Sequence, residues 1–223
     1  MKQPTVCAVI LASPGREAMG EKAIQCALAQ SYPLVSVHIA HAVQGLSVGE
    51  MRNLANEEAK ADIIAHFDDD DWSHPRRIEE QVALLQTTGA DVAAYSRMLF
   101  WRDLQEIDLE TGGETLKPGE AWLYTGEILG TSLCYWRRTW ERARFRAKGW
   151  HNEDCGFVLD VRAAGGGVVA ISSIDSEPRM IARIHGGYGG NAHNPSYRTL
   201  ETHPQHWRRM PEWDDYCRER MEL

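Results

Sequence analysis

An apolar run passes directly into four consecutive aspartates in the segment Ile63-Ile64-Ala65-His66-Phe67-Asp68-Asp69-Asp70-Asp71-Trp72. The first five residues have the length and composition of a buried strand. The aspartates would then follow the carboxyl end of the strand, which is where open α/β sheets bind ligands. Adjacent carboxylates repel one another, and a hard divalent cation such as Mg²⁺ or Mn²⁺ would neutralise them. The alternative is a solvated acidic turn that caps the helix beginning near Pro75.

The composition limits the class of protein. The 223 residues can bury a sizeable core, and a formal net charge of -8 gives no general basic surface for nucleic acid, although a nucleic-acid acceptor stays open. The five cysteines are scattered and form no CxxC pair, which favours reduced thiols in a cytoplasmic protein over a disulfide framework or a zinc site. No segment approaches the ~20 apolar residues of a membrane helix. We therefore expect a cytoplasmic protein without a transmembrane segment.

Strands and helices are predicted to alternate through the first hundred residues. Apolar runs at 6–12, 34–40 and 63–67 predict strands, and helical spacing of apolar residues fills the two intervals between them. This order predicts an α/β fold with a mostly parallel sheet and right-handed crossovers. The chain has no GxxxxGK[ST] motif and no GxGxxG after the first strand, so a P-loop is excluded and a dinucleotide site is not supported.

The second half is predicted to continue the pattern with a change near residues 103–119. This polar stretch indicates a hairpin or surface loop. Further elements are predicted as a helix after Pro75, strands at 91–95, 98–101, 130–135 and 168–171, and helices at 139–144, around 158–161 and from 211. We expect one domain over 1–223, with a nucleotide-binding half at 1–102, an acceptor and catalytic half with a lid at 120–195, and a tail at 196–223.

Four glycines lie within residues 186–190, between His185 and His193. Such a run cannot form a packed element, so it predicts a mobile loop. The histidines and Tyr188 favour a lid that closes over a ligand, and a flexible linker is the alternative.

Several short motifs together resemble the family 2 glycosyltransferases of GT-A fold. The motifs are Leu28-Ala29-Gln30-Ser31-Tyr32-Pro33, Arg52-Asn53, Asp68-Asp69-Asp70-Asp71 and Glu153-Asp154. The resemblance covers most of residues 5–195 and depends on the order and spacing of the motifs. It implies a GT-A fold with a small acceptor-side lobe and a C-terminal lid, a nucleotide-diphosphate sugar donor, with UDP-sugar favoured, and a hydroxyl acceptor.

The resemblance also implies roles for particular residues. The donor would contact Ala12, Ser13, Arg16, Arg52, Asp68 and Asp69, with Asp68 nearer the ribose. Mn²⁺ or Mg²⁺ would bind Asp70 and Asp71, with His185 as a third candidate ligand and a structural histidine as the alternative. Where the family usually has an Asp-Asp-Gly-Ser turn after the second strand, this chain has His38-Ile39-Ala40-His41-Ala42-Val43-Gln44-Gly45, so the identity of the nucleotide's base stays open.

Catalysis requires a group that accepts the proton of the attacking hydroxyl. By resemblance this group is Asp154, next to Glu153, in an inverting displacement; helix capping is the alternative role. Trp122 and Trp150 are candidates for stacking on a sugar ring, with core packing as the alternative. Two other classes stay open: a nucleotidyltransferase, and a non-catalytic module that binds a sugar nucleotide.

Overall fold

The structure, a computed structural model, describes residues 3–107, 114–147, 153–172, 177–185, 200 and 204–221. Its strands are β1 (Val6–Ala12), β2 (Leu34–His41), β3 (Ile63–Asp68), β4 (Trp72–Ser73), β5 (Val92–Tyr95), β6 (Arg97–Ile107), β7 (Glu114–Thr125), β8 (Cys134–Trp136), β9 (Val168–Ile171), β10 (Met180–Ile184) and β11 (Trp207–Arg209). The α-helices are α1 (Glu17–Leu28), α2 (Val48–Glu58), α3 (Arg77–Thr88), α4 (Arg137–Arg142), α5 (Glu153–Ala163) and α6 (Asp214–Met221). Turns of 3₁₀ helix cover Gly130–Ser132 and Pro211–Trp213.

The first sheet contains six of the described strands, in the order β2-β1-β3-β8-β5-β9. β1 runs parallel to β2 and β3, and β5 runs parallel to β9, whereas β8 is antiparallel to both of its neighbours. Helices cover both faces of this sheet. Alternate residues of β1 therefore enter two cores, one shared with α1 and α3 and the other with α2 and α5, which is why the strand is apolar throughout.

The second sheet contains five of the described strands, in the order β11-β7-β6-β10-β4. A long antiparallel hairpin of β6 and β7 forms its centre. β10 lies parallel to β6 and pairs on its other side with the short strand β4. α6 closes one face, where Cys217 and Met221 are buried against residues of β6 and β10.

The acidic run links the two sheets, because β3 ends at Asp68 and β4 begins at Trp72. The N–H of Asp71 donates to the carbonyl of Asp68 at 3.4 Å, which closes a tight turn between them. The buried Arg77 of α3 holds both sides of this turn. Its Nη2 donates to the His66 carbonyl at 2.6 Å and its Nη1 to the Ser73 hydroxyl at 3.0 Å.

Most predicted elements are confirmed, including the strand before the aspartates and the β6–β7 hairpin. All five cysteines have free thiols. One strand was predicted wrongly at 130–135. Residues 130–132 form a 3₁₀ turn, and the strand covers Cys134–Trp136, because Ser132 turns inward to bond the N–H of Tyr95 and the carbonyl of Leu129. The short helix predicted at 139–144 is Arg137–Arg142, and the helix predicted from 211 begins with a 3₁₀ turn. The division of the chain into two halves and a tail stays a prediction.

In the described part of the chain, none of the helices has the length and apolar character needed to cross a bilayer.

Candidate active site

A cleft of about 260 Å³ lies where the first and second sheets meet. It is lined by most of the residues predicted to act on the donor and acceptor, namely Ser13, Arg16, Arg52, Asp68, Asp69, Asp70, Asp71, Glu153 and Asp154. His185 joins them by contacting Asp70. Ala12 ends β1 beside His41 of β2 and is not among the described residues that line this cleft.

The first half of the acidic run is neutralised by arginines that belong to the first sheet's elements. Arg52 of α2 donates to Asp68 at 3.2 Å. Arg16, in the turn after β1, donates to Asp69 at 2.7 Å, and the Ser13 N–H donates to the same carboxylate at 2.5 Å. This contact follows from strand pairing, since Leu11 of β1 lies opposite Asp68. Burial raises the pKa of Asp69 to about 6, although Ser13 and Arg16 act to lower it.

The second half of the run contacts the 3₁₀ turn and the end of β10. Asp70 Oδ2 lies 3.0 Å from His185 Nε2 and 2.6 Å from Arg16 Nη1. Asp71 accepts a hydrogen bond from the Thr131 hydroxyl on Oδ2 and from the Arg183 N–H, at 3.0 Å, on Oδ1. Burial, together with the neighbouring aspartates, raises the pKa of Asp71 well above its usual range.

The pair of Asp70 and His185 fits a divalent cation. Two adjacent ligands of an octahedral cation with bonds of about 2.1 Å lie about 3.0 Å apart, which matches the separation of Asp70 Oδ2 and His185 Nε2. Asp71 retains a lone pair on each oxygen but is already engaged by two protein donors. No group of three or more His, Cys, Asp or Glu side chains forms a closed metal set within the described ranges. Mg²⁺ commonly takes its other ligands from water and from phosphate oxygens of a bound molecule.

Arg52 lines the cleft and has buried guanidinium nitrogens that the described protein leaves without a hydrogen-bond partner. Arg52 is 4% exposed, and within the described ranges its Nη1 and Nε have no hydrogen-bond partner. The nearest carboxylate to Nε is Glu153 Oε1, at 3.6 Å. A buried guanidinium without enough acceptors is costly, so a bound anionic ligand would satisfy it.

Asp154 differs from the other carboxylates of the cleft. It lies in the first turn of α5, where its Oδ1 accepts the N–H of Cys155 at 2.6 Å. Among the described residues it forms no ion pair, whereas Asp68, Asp69 and Asp70 each contact a basic side chain. Asp71 has no ion pair there either, but it accepts a hydrogen bond on each oxygen. Gly130 packs directly against it, and a Cβ at position 130 would lie 1.8 Å from Asp154 Oδ2. Glu153 is also partly buried, which raises its pKa.

The remaining candidates have different outcomes. Trp122 is buried in the core of the second sheet near Phe100 and Trp207, so the alternative of core packing applies. Trp150, His193 and the segment 186–190 lie outside the described residues.

Sequence reasoning missed Gly130 and Thr131, which line the cleft, and Arg183, whose N–H donates to Asp71. The signal for the first two was the Gly-Thr-Ser segment, which was assigned to a strand. Asn53, noted only as part of a motif, accepts hydrogen bonds from the Trp140 indole and the Phe145 N–H and fixes the segment beside α4.

Comparison with known families assigns the class. The model described as glycosyl transferase family 2 matches residues 22–157, more than half of the chain, so the chain belongs to that family. Its fold is the GT-A fold, as predicted from the motifs. Comparison with curated protein sequences finds no match.

Similar solved structures include those of S. aureus TarS. TarS 1–349 in complex with UDP-GlcNAc has a TM-score of 0.59 and 12% identity, over 82% of this chain and 59% of that chain. The complex of TarS 1–349 with UDP gives a TM-score of 0.55 and 12% identity, over 81% and 60% of the two chains. The longer TarS structure gives 0.57 and 12%, and there the matched region spans 81% of this chain but 37% of TarS. These likenesses concern the fold.

Proposed function

We propose that the chain transfers a sugar from a nucleotide-diphosphate donor, with a UDP-sugar favoured, to a hydroxyl acceptor, with inversion at the anomeric carbon. The reaction is proposed to require Mn²⁺ or Mg²⁺. A cation held by Asp70 and His185, with Asp71 as a further candidate ligand, would act as a Lewis acid on the departing diphosphate oxygens. The proposed cytoplasmic location, the acceptor and the oligomeric state stay open.

Different residues of the cleft are proposed to bind the donor and to accept the proton. Arg52 offers unsatisfied N–H groups to an anionic donor and is held in place by Asp68 and Glu153. Arg16 offers a second guanidinium at the first β–α turn. Asp154 accepts the proton of the attacking hydroxyl, and Glu153 acts by positioning Arg52.

The observation that carries this proposal is the difference in partners among the carboxylates of one cleft. The carboxylates of Asp68, Asp69 and Asp70 are ion-paired. An arginine or a histidine therefore already engages the negative charge that a general base would use to accept a proton. Asp154, which forms no such pair within the described residues, keeps an oxygen available for a proton. Asp71 also forms no ion pair within the described residues, but both of its oxygens accept hydrogen bonds. A base must reach the reacting proton with its lone pair uncommitted.

The proposal is tested first by ligand binding. UDP, GDP, CDP and ADP, and then their sugars, are screened by thermal shift in EDTA and in Mn²⁺, because a ligand of the folded state alone raises the melting temperature with its occupancy. A rise with one nucleotide diphosphate that depends on Mn²⁺ is expected. Absence of any stabilisation by nucleotides would contradict the proposed donor.

The second test separates catalysis from binding. In Asp154→Asn the size and capping ability of the side chain remain but its basicity is lost, so we expect unchanged donor affinity and a fall in kcat of about 10²-fold or more. Turnover is measured as nucleotide diphosphate released with a panel of hydroxyl acceptors, and NMR of the product gives the anomeric configuration. Near-normal turnover in this variant, or a retained configuration, would exclude the mechanism.

The two other classes make different predictions in the same assays. A nucleotidyltransferase releases pyrophosphate from a nucleoside triphosphate, and a non-catalytic module binds the donor without turnover in any variant. Membership of glycosyltransferase family 2 favours the first proposal over both.

A further inference from the structure

Arg16 occupies the carboxylates that a cation would need. Its Nη1 donates to Asp69 Oδ1 at 2.7 Å and to Asp70 Oδ2 at 2.6 Å. Asp70 Oδ2 is the same atom that faces His185 Nε2 at 3.0 Å. The positive group and the candidate cation site thus share one oxygen atom, and the Arg16 side chain is only 9% exposed.

A divalent cation on Asp70 Oδ2 would lie beside the Arg16 guanidinium. The two positive charges would repel each other strongly at this distance, because the side chains of Arg16 and Asp70 are only 9% and 11% exposed. In the free protein, Arg16 therefore acts as the counter-ion of Asp69 and Asp70 and opposes binding of the cation.

A diphosphate changes this balance. Its oxygens are strong acceptors for a guanidinium, and arginine binds phosphate with two parallel hydrogen bonds. If Arg16 moves from Asp70 to the diphosphate, Asp70 Oδ2 becomes available beside His185. The Ser13 N–H still holds Asp69 at 2.5 Å, so the turn need not leave the acidic run when the side chain moves.

We propose that Arg16 couples the two ligands: it blocks the cation site until the donor's diphosphate takes its guanidinium, so that cation and diphosphate bind with positive cooperativity. This inference depends on the proposed function, because it takes the nucleotide diphosphate as the ligand. The coupling must be reciprocal, since each ligand changes the affinity for the other by the same factor. Arg16 in this sense controls access of the cation to Asp70 as well as contacting the donor.

The test measures binding without turnover. Mn²⁺ binding to the nucleotide-free protein is followed by the EPR signal of unbound Mn²⁺, and UDP binding is measured by calorimetry in EDTA and in saturating Mn²⁺. For the wild type we expect weak binding of Mn²⁺ alone and an increase in UDP affinity with Mn²⁺ of about tenfold or more, within the range usual for coupled sites. In Arg16→Met, Mn²⁺ alone should bind about tenfold more tightly than in the wild type, and the effect of Mn²⁺ on UDP affinity should shrink correspondingly.

Lys22→Met is the matched control. Lys22 lies on α1 and lines a small pocket with Asp70 and Asp71, so its loss removes the same charge from the same neighbourhood without opening the Arg16 contacts. We expect a much smaller change in Mn²⁺ affinity than in Arg16→Met. Equal changes in Mn²⁺ affinity in the two variants would mean that the effect comes only from the loss of a positive charge near the cleft, and this would overturn the proposal. Arg16→Lys keeps the charge but not the bridge between two carboxylates, so its affinity for Mn²⁺ should lie between those of the wild type and Arg16→Met. This variant also tests the proposal if Arg16→Met fails to fold.

The outcomes separate this inference from the proposed function. If wild-type UDP affinity is the same in EDTA and Mn²⁺, or if Arg16→Met binds Mn²⁺ no more tightly than the wild type, Arg16 is not a coupling residue although the donor site stands. If the wild type binds neither UDP nor any other nucleotide diphosphate, the proposed function fails and this inference fails with it.

Discussion

The two halves of the acidic run differ in what surrounds them. Asp68 and Asp69 contact Arg52 and Arg16, which come from the helices and turns of the first sheet. Asp70 shares Arg16 with Asp69 but also contacts His185, and Asp71 contacts the Thr131 hydroxyl and the Arg183 N–H. These further partners belong to the end of β10 and to the 3₁₀ turn. Four adjacent residues of one type therefore have two environments, one formed by arginines alone and one in which a histidine and neutral donors take part.

The difference comes from the position of the run between the sheets. The first half begins with the last residue of β3, so its surroundings consist of the neighbouring strands and helices of the first sheet. The second half leads into β4, and β4 pairs with β10, so Asp71 meets a strand 112 residues further along the chain. A chain segment that joins two sheets can thus bring the proposed donor-binding residues next to the proposed cation ligands.

The largest effect on kcat is expected when one aspartate from each half of the run is replaced and the two variants are compared. Asp70→Asn removes the carboxylate that faces His185, and we expect kcat to fall by about 10³-fold, since metal stabilisation of a leaving group is worth several kcal/mol. Asp68→Asn changes only the partner of Arg52, so its main effect should be a rise in the KM for the donor with kcat less affected. The measurement is steady-state kinetics at saturating Mn²⁺. Equal losses of kcat in the two variants would mean that the halves do not have separate roles.

Sequence alone predicted the first half better than the second. The apolar runs of β1 and β3 placed the aspartates after a strand, because strand order within one α/β unit is local and follows known rules, and the resemblance named Arg16 as a donor contact. For the second half, the resemblance named His185, which contacts Asp70. The contacts of Asp71 with Thr131 and Arg183 were not predicted, since they depend on the 3₁₀ turn and on the pairing of β4 with β10. A two-residue strand leaves almost no pattern, and the contact of Thr131 was hidden in a segment with strand-like composition.

Gly130 tests the carboxylate on the acceptor side of the cleft. Alanine at this position would place its Cβ 1.8 Å from Asp154 Oδ2 and 2.3 Å from Asp154 Cβ, so Asp154 must move. We expect kcat to fall between about tenfold and 10²-fold through misplacement of the base, with metal-dependent UDP binding preserved.

Gly20→Ala is the matched control for this methyl group. Gly20 lies within α1, and a Cβ there would meet nothing within 4 Å. Kinetics should be unchanged and the free energy of unfolding should rise by up to about 1 kcal/mol, since glycine is unfavourable inside a helix. Gly130→Ala with normal kcat would show that Asp154 tolerates displacement and would count against its role as the base.

Thr131 tests the second half of the run with a smaller change. Thr131→Val removes the hydroxyl that donates to Asp71 but keeps the shape of the side chain. A hydrogen bond to a charged group contributes about 1.5–3 kcal/mol, so the variant should lose stability of this order and need several-fold more Mn²⁺ for half-maximal activity. Thr131→Ser restores the hydroxyl and should recover most of both properties. A normal Mn²⁺ requirement in Thr131→Val would separate Asp71 from the cation site.

The smallest effect concerns the first half and appears in stability rather than activity. The pKa of Asp69 is raised by burial to about 6 in the folded protein, against about 3.9 in an unfolded chain. The folded state therefore binds more protons between these values, so this residue makes the protein more stable as the pH falls from above 6 towards 4. Burial acts in the same direction on Asp68, Asp71 and Glu153. Urea unfolding in EDTA between pH 7.5 and 4.5 measures the slope, and Asp69→Asn should flatten it. A slope that Asp69→Asn leaves unchanged would assign the pH dependence to the other carboxylates, and it would mean that Arg16 and the Ser13 N–H outweigh burial at Asp69.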